Sequence, residues 1–194
     1  LCKKKFASYL IFKIYTVKYQ CYRLIVRRPA ADNRGMLVSA EWRHEMTYEM
    51  DIAGLRRELP LCKVTDDLYI GAFVMFGDVE LTVHCAAELL KRAPEYDYLI
   101  APEAKAIPLI YEMARQSGAE KYFLARKGPK AYMTGVFEVH VKSITTMDVQ
   151  RLVIDTADAE LINGKRILII DDVISTGESL RAMEELVTRA GGNI

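Results

Sequence analysis

Ile167-Leu-Ile-Ile-Asp-Asp-Val-Ile-Ser-Thr-Gly-Glu-Ser179 joins an apolar run, two adjacent carboxylates and a loop of small residues in one continuous segment. It opens with four apolar residues, three of them β-branched, which predict a strand covered on both faces, as in a parallel sheet. Asp171 and Asp172 then emerge at the carboxyl end of that strand, the edge at which open α/β sheets bind ligands. A helical pattern follows at residues 180–190 and stops at two glycines. The stretch therefore predicts a strand, a loop and a helix, with an acid pair at the strand end.

The loop between this strand and this helix is suited to hold a phosphate monoester. Residues 175–179 combine hydroxyl groups, a flexible glycine and the free N–H groups of a helix N-terminus. An Asp-Asp pair by itself is more often a solvated strand end before an ordinary capped helix. The attached Ser-Thr-Gly loop favours the functional interpretation.

Upstream of this stretch the chain alternates helix and strand. Asp78 is placed to cap a helix at residues 79–90, which Pro94 closes. The pattern then predicts strands at 97–101 and 121–125, a helix at 107–116, and two strands of an antiparallel flap at 136–142 and 151–155. A parallel sheet of βαβ units, interrupted by a two-stranded excursion, is the expected architecture.

Length and composition limit the number of domains. A chain of 194 residues with 51% hydrophobic content can bury one α/β core, and a second full domain would be crowded. The net charge of +1 conceals an asymmetry, because residues 1–45 carry ten Lys or Arg against three acids. Residues 46–194 carry the remaining seventeen basic residues against twenty-three acids, a balance of −6. This difference in charge indicates that residues 1–45 and 46–194 do not form one domain.

The basic segment 1–45 has three competing interpretations. It is a basic arm for nucleic acid or membrane, a targeting peptide, or an extension that does not belong to the functional domain. Its longest uncharged run, at residues 6–12, is far shorter than the roughly 20 apolar residues of a membrane span. We favour an extension and expect the domain to occupy residues 46–194. We also expect this domain to be incomplete at its carboxyl end, because Asn193-Ile194 resembles the start of a further parallel strand.

The cysteines and histidines show no pattern of a metal site. Neither a CxxC spacing nor a paired histidine accompanies the four cysteines, so no zinc site or disulfide framework is indicated. Reduced thiols in a cytoplasmic protein are the preferred interpretation. His84 is expected in a helix and His140 in a strand, and neither is assigned to catalysis.

The stretch 167–179 resembles the 5-phosphoribosyl-1-diphosphate (PRPP) motif of type I phosphoribosyltransferases. The resemblance implies that Asp171 and Asp172 engage the ribose hydroxyls, because a carboxylate pair can accept two hydroxyl donors. It also implies that Mg²⁺ arrives with PRPP, with no metal ligand certain beyond a possible contact to the acid pair. The PRPP-binding residues implied after the acid pair are Val173, Ile174, Ser175, Thr176, Gly177, Glu178 and Ser179.

Two further segments resemble the same family. Glu103-Ala104-Lys105-Ala106 follows strand 97–101 and is similar to the family's pyrophosphate loop, with Ala106 where glycine is usual. That loop often contains a non-proline cis peptide, here expected before Ala104 or Lys105. Glu103 and Ala104 are thereby implied in PRPP binding. The groups implied to stabilise the charge on departing pyrophosphate are Lys105, Arg126, Lys127 and Lys130.

The resemblance implies a parallel β-sheet flanked by helices, with a short antiparallel flap and a flexible loop. It further implies an enzyme of purine salvage that converts Mg²⁺-PRPP and a nitrogenous base to a nucleoside monophosphate and pyrophosphate. Ser175 stands where hypoxanthine-guanine members carry an aspartate that handles a base proton, and a serine is a poor proton acceptor. The hypoxanthine-guanine subgroup is therefore disfavoured. The segment Arg126-Lys127-Gly-Pro-Lys130 resembles adenine- or xanthine-type members, and adenine is the first choice. Residues 59–69 are a candidate for part of the base-binding hood.

The partners implied are PRPP, a nitrogenous base and a second copy of the chain in a homodimer. Neither a membrane nor a nucleic acid is expected. The alternative function is a transcriptional regulator that senses PRPP through a domain of the same fold, which the basic segment 1–45 keeps open. That segment shows no helix-turn-helix pattern.

Overall fold

The computed structural model describes residues 9–10, 25–27, 47–65, 68–142, 149–174 and 177–194. The chain divides into two compact units, one formed by residues 1–12 and 75–194 and the other by residues 13–74. None of the helices in this described part has the length and apolar content that crossing a bilayer requires. Ser175, Thr176, Cys2 and Cys21 lie outside the described residues. The division that we predict at residue 46 stays a prediction.

The larger unit contains a parallel sheet, a separate strand pair and helices. The strands are β1 (Tyr9–Leu10), β6 (Tyr98–Pro102), β7 (Phe123–Ala125), β8 (Val136–Lys142), β9 (Val149–Asp155) and β10 (Ile167–Ile170). The helices are α1 (Val79–Leu90), α2 (Ile107–Ser117), α3 (Thr156–Ile162) and α4 (Glu178–Arg189).

The sheet of the larger unit is parallel throughout, in the order β1-β10-β6-β7. The register aligns Ile169 with Ile100 and Pro102 with Ala125. The carboxyl ends of β6, β7 and β10 therefore meet at one edge. This confirms the parallel α/β architecture that the sequence predicts.

Both faces of this sheet are covered, which explains the unbroken apolar run of β10. Ile167 and Ile169 lie in a core shared with α4 and the β8-β9 pair. The alternate residues of β10 are also buried, and they lie on the opposite face because side chains alternate along a strand. The prediction of a strand at 167–170 is confirmed to the residue.

The helices begin and end where local signals place them. The carboxylate of Asp78 accepts a hydrogen bond from the N–H of Leu81, 2.9 Å away, and so caps α1 as predicted. Gly118 adopts a left-handed conformation at the end of α2. Helix α4 begins two residues earlier than predicted, at Glu178, because Gly177 takes a left-handed φ of 81° immediately before it. Glu178 and Ser179 therefore lie in the first turn of α4, and the expectation that they belong to the loop is wrong.

The antiparallel pair β8-β9 is confirmed, and it is more than a solvated flap. Val139, Leu152 and Ile154 on one face are buried, and both strands contact α4. Helix α3, which follows β9 directly, is missing from the sequence prediction. Asp155 caps it by accepting a hydrogen bond from the N–H of Ala157.

The smaller unit is an antiparallel sheet in the order β2-β5-β4-β3. The candidate hood residues 59–69 fall on its two central strands, apart from residues 66 and 67, which lie outside the described residues. The strands are β2 (Ile25–Arg27), β3 (Thr47–Ile52), β4 (Leu55–Thr65) and β5 (Leu68–Gly71).

Candidate active site

The strand order of the larger unit defines a crevice at the carboxyl edge of its sheet. The chain leaves β6, passes through α2 and returns as β7 on one side, whereas β10 pairs with β6 on the other side. The gap between the ends of β6 and β10 is therefore a topological switch point, the usual ligand site of an open α/β sheet. Asp171 follows β10 at this gap, and Lys105 follows β6.

The acid pair after β10 is tightly packed. Asp172 is buried, and its N–H donates a 2.9 Å hydrogen bond to Oδ1 of Asp171. Nζ of Lys105 lies 3.3 Å from Oδ2 of Asp172, an ion-pair distance without the geometry of a hydrogen bond. Oδ2 of Asp172 consequently has no hydrogen-bond donor among the described residues, although it is inaccessible to solvent. A buried oxygen in this state is stabilised by an incoming donor or cation.

The electrostatics of the pair point in the same direction. Burial, and then the neighbouring charge of Asp172, raise the pKa of Asp171 from its ordinary 3.8 to about 7, and the charge of Lys105 offsets only part of this effect. Two carboxylates in a largely buried site repel each other when both are ionised. A ligand that brings hydroxyl donors or positive charge relieves that repulsion.

The loop after the acid pair leads into a helix that points its amino end toward the same edge. Val173 is exposed, Ile174 is partly buried, and Gly177 closes the loop in its left-handed conformation. Glu178 and Ser179 lie in the first turn of α4, and the amino end of a helix favours a bound anion.

The loop after β6 carries Glu103, Ala104, Lys105 and Ala106. The peptide bond between Glu103 and Ala104 is cis, as expected from the resemblance. Ala106 is buried and has φ −76° and ψ −7°, a conformation open to any residue, so this loop does not need the family's usual glycine there. Ala104 and Lys105 are exposed at the crevice.

The carboxylate of Glu103 connects this loop to the one that follows β7. It accepts a 2.8 Å hydrogen bond from the N–H of Lys127 and a 3.1 Å hydrogen bond from Nη1 of Arg126. Burial raises the pKa of Glu103, but these two hydrogen bonds and the charge of Lys130 outweigh it and leave the pKa below its ordinary value. Glu103 therefore stays ionised and holds the two loops together.

Arg126 is a junction between three parts of the site. Its guanidinium donates a hydrogen bond to Glu103, and this contact is the main cause of its raised pKa, to which the neighbouring Tyr132 also contributes. Its backbone N–H and C=O pair with Val153 of β9 at 2.7 and 2.8 Å. Tyr132 was not foreseen as a site residue. The only signal for it is its position two residues beyond Lys130 in the same loop.

The predicted site residues thus form two groups. The structure brings Lys105 to Asp172, and it brings Arg126 and the backbone of Lys127 to Glu103. The side chains of Lys127 and Lys130 are exposed on the loop after β7. The pyrophosphate loop links the groups, since Glu103 and Lys105 are two residues apart.

The residues present fit a magnesium ion that arrives with its substrate. Among the described residues, no three His, Cys, Asp or Glu side chains converge as a metal cage. Asp171 and Asp172 offer two carboxylates, one with an unbonded buried oxygen. Mg²⁺ commonly binds one or two carboxylates, with substrate phosphates and water completing its coordination.

The larger unit thus combines an open parallel α/β sheet with an acid pair and two loops at its switch point. The family model described as "Phosphoribosyl transferase domain" matches residues 82–194, which include both loops, the acid pair and α4. The chain belongs to this family, and the recognition made from the sequence is confirmed.

The relatives include phosphoribosyltransferases named for two different bases, adenine and orotate. The adenine phosphoribosyltransferase of Thermotoga petrophila is 33% identical over 100 residues, which cover 52% of this chain and 55% of that protein. The orotate phosphoribosyltransferase of Caldanaerobacter subterraneus is 26% identical over 130 residues, which cover 66% of this chain and 57% of that protein. The chain therefore spans a little over half the length of these relatives.

A solved structure supports the fold. The adenine phosphoribosyltransferase of Thermoanaerobacter pseudethanolicus aligns with a TM-score of 0.53 and 20% identity, covering 79% of this chain and 82% of that one. At this identity the similarity shows the fold alone. The predicted fold class is confirmed, while the roles of individual site residues stay predictions.

Proposed function

We propose that this chain transfers the phosphoribosyl group of Mg²⁺-PRPP to a nitrogenous base. The observation that carries the proposal is the meeting of Lys105 and Asp172 across the switch point. In this proposal Lys105 is the cation for the pyrophosphate, and the neighbouring carboxylate pair binds the ribose. The bond between ribose C1 and the pyrophosphate oxygen breaks, and its electron pair leaves with pyrophosphate. A ring nitrogen of the base bonds to C1, and the proton of that nitrogen is released.

In this proposal the two carboxylates act on the sugar. Asp171 and Asp172 accept hydrogen bonds from the vicinal ribose hydroxyls, and their negative charge favours the positive charge that develops on the ribose. The raised pKa of Asp171 fits this role, because hydroxyl donors and Mg²⁺ favour its ionised form. Mg²⁺ supplies further charge neutralisation at the pyrophosphate.

The cations of the two loops act on the leaving group. Lys105, Lys127 and Lys130 have exposed side chains that can reach pyrophosphate oxygens, and the N–H groups that begin α4 hold the 5-phosphate. Arg126 is held by Glu103 and by its backbone pair with Val153, so its first task is to fix the loop that carries the lysines. No side-chain nucleophile is required.

We propose adenine as the base. The adenine-specific relatives and the serine at position 175 support it, and a relative that acts on orotate makes orotate the second candidate. The proposal includes a homodimer. Exposed apolar side chains on the packed helices α1 and α2, among them Val79, Val83 and Tyr111, support an interface.

One assay tests the function and the base together. Pyrophosphate release from Mg²⁺-PRPP is measured with adenine, orotate, hypoxanthine, guanine and xanthine, and adenine is expected to give the highest kcat/KM. PRPP binding without pyrophosphate release from any base would overturn the transferase and favour a PRPP sensor. Absence of PRPP binding by calorimetry would overturn the whole site. Sedimentation velocity measures the oligomer in the same samples.

A further inference from the structure

The lysine-bearing loop is attached to one strand at both of its ends. We call residues 126–135 the cation loop, because they carry Arg126, Lys127 and Lys130. At its start, Arg126 makes both backbone hydrogen bonds of an antiparallel bridge with Val153 of β9. At its finish, Thr134 is bound by Asp155, only two residues further along the same strand.

The second attachment depends on one carboxylate. Oδ2 of Asp155 accepts the N–H of Thr134 at 2.9 Å, and Oδ1 accepts its hydroxyl at 2.8 Å. Oδ1 also accepts the N–H of Ala157 at 3.2 Å and so caps α3. The hydrogen bonds from Thr134 are the first cause that lowers the pKa of Asp155, so the carboxylate is ionised at neutral pH. Charged acceptors make hydrogen bonds about twice as strong as neutral ones.

The backbone beside this attachment is equally constrained. A Cβ built on Gly135 would lie 2.4 Å from Oγ1 of Thr156 and 3.0 Å from its Cβ. The carbonyl of Gly135 also accepts the N–H of Thr156 at 3.4 Å. The cation loop therefore closes against the start of α3, and a side chain at position 135 would require Thr156 to shift.

We propose that Asp155 is a positioning residue for the transfer reaction, holding the finish of the cation loop so that Lys127 and Lys130 face the leaving pyrophosphate. The inference rests on the proposed function. Asp155 itself touches no substrate in this scheme, since it lies behind the loop and its oxygens are used by Thr134 and Ala157.

Loss of this anchor would act on the transition state more than on substrate binding. With both ends tied to β9, the loop samples few conformations, and its lysines meet the developing charge without a large loss of entropy. When one end is free, the loop has to become ordered at each turnover, and this loss of conformational entropy slows the reaction. The acid pair and the amino end of α4 hold PRPP in the ground state and are left intact.

The asparagine variant separates the anchor from the helix cap. In Asp155→Asn the remaining oxygen can still accept from Ala157, because Asn and Asp cap helices about equally well. The new amide group faces the N–H of Thr134 and repels it, since both are donors. Asp158→Asn is the matched control, because Asp158 lies on the same helix and pairs with Lys121 instead of the loop.

Hydrogen exchange and steady-state kinetics test the proposal together on the full chain. In Asp155→Asn we expect the Thr134 amide to exchange about tenfold faster and kcat with PRPP and adenine to fall roughly tenfold, with the KM for PRPP within about twofold. Asp158→Asn should match the wild type in the exchange rate of the Thr134 amide, in kcat and in the KM for PRPP. Thr134→Val should show a smaller loss of kcat, and combining it with Asp155→Asn should add little.

The outcomes distinguish this inference from the proposed function. If the wild type neither binds PRPP nor releases pyrophosphate, the proposed function fails and the positioning role fails with it. If the wild type is active and Asp155→Asn keeps its exchange rate and its kcat, the anchor is wrong while the function stands. A tenfold rise in KM with an unchanged kcat would also overturn the positioning role.

Discussion

Nζ of Lys105 lies 3.3 Å from Oδ2 of Asp172, so the cation after β6 and the acid after β10 meet across the switch point. The two side chains differ in burial, because that of Asp172 is 3% exposed and that of Lys105 is 53% exposed. An exposed lysine can swing into solvent at little cost, whereas the carboxylate cannot move. We therefore expect Lys105 to yield its place at Asp172 to substrate hydroxyls or Mg²⁺, and to turn toward the pyrophosphate.

Neutralising the acid pair should abolish substrate binding without unfolding the chain. The double variant Asp171→Asn with Asp172→Asn keeps the shape of both side chains and removes both charges at the ribose. We expect PRPP affinity, measured by calorimetry with Mg²⁺, to fall at least a hundredfold, since two charged acceptors contribute about 1.5 to 3 kcal/mol each. Unchanged affinity in a folded double variant would refute the site.

The single variant Asp171→Asn should stabilise the ligand-free protein at alkaline pH. The pKa of Asp171 is raised in the fold to about 7, so the folded state binds more protons than the unfolded state between about pH 4 and 7. The stability that this group contributes is therefore present below pH 4 and is lost as pH rises through 7. We expect Asp171→Asn to exceed the wild type by about 1 to 2 kcal/mol at pH 8 and to match it at pH 4.

Urea denaturation at the two pH values, without Mg²⁺ or PRPP, measures this difference. Asp158→Asn is the control, because its carboxylate lies 2.7 Å from Lys121 and removal of its charge brings no gain at pH 8. A wild type as stable as Asp171→Asn at pH 8 would show that the acid pair is not strained by its own charge.

Removing the charge of Lys105 should slow turnover even when PRPP is saturating. Lys105→Met keeps most of the side-chain length and loses the cation that contacts Asp172 and that the proposed function assigns to the leaving group. We expect kcat to fall ten- to a hundredfold, which is the usual effect of losing one electrostatic contact to a developing charge. Lys121→Met, which removes a lysine 45% exposed and paired with Asp158, should keep its kcat. Equal kcat values for the two variants would exclude the role of Lys105.

The left-handed glycine before α4 should matter for binding beyond its effect on stability. Gly177 has φ 81°, and Gly118, at the end of α2, has φ 72°, so alanine at either position should cost about 1 kcal/mol of folding stability. Only Gly177→Ala shifts the first N–H groups of α4, which the proposed function assigns to the 5-phosphate. We expect its PRPP affinity to fall about tenfold, whereas Gly118→Ala keeps the wild-type affinity. Calorimetry on both variants makes the comparison, and a loss common to both would indicate a general loosening instead.

The sequence predicts those parts of the fold that local chemistry determines. The apolar run at 167–170, with its β-branched residues, indicates a strand covered on both faces, and Asp78 and Gly118 mark helix ends by hydrogen bonding and backbone freedom. The acid pair follows from its place in the chain, because the carboxyl end of a parallel strand is a ligand edge. These features need no knowledge of distant contacts.

The features missed by the sequence depend on contacts between distant residues or on weak local signals. Glu103 and Arg126 are 23 residues apart, and nothing in either segment shows that their side chains meet. Helix α3 has only seven residues, too short for a clear period, and the aspartate that caps it looked like the end of a strand. The anchoring of Thr134 by Asp155 was missed for the same two reasons.

Glu103 should contribute more to stability than an exposed glutamate with similar partners. The side chain of Glu103 is 15% exposed and that of Arg126 is 26% exposed. Glu103 also accepts a hydrogen bond from the N–H of Lys127. In Glu103→Gln the amide oxygen can still accept that N–H, but the partly buried guanidinium loses its counter-charge. We expect the free energy of unfolding to fall by about 1 to 2 kcal/mol and kcat to fall with it, since the loop carrying Lys127 loosens.

Glu138→Gln provides the comparison for this last variant. Glu138 pairs with Arg151 and His140 on the exposed face of β8-β9, where the side chains of both partners are at least 41% exposed. Exposed pairs of this kind contribute about 0 to 1 kcal/mol. Urea denaturation and pyrophosphate release are measured for both variants. If Glu103→Gln proves no more harmful than Glu138→Gln in either measurement, Glu103 does not hold the two loops of the site together.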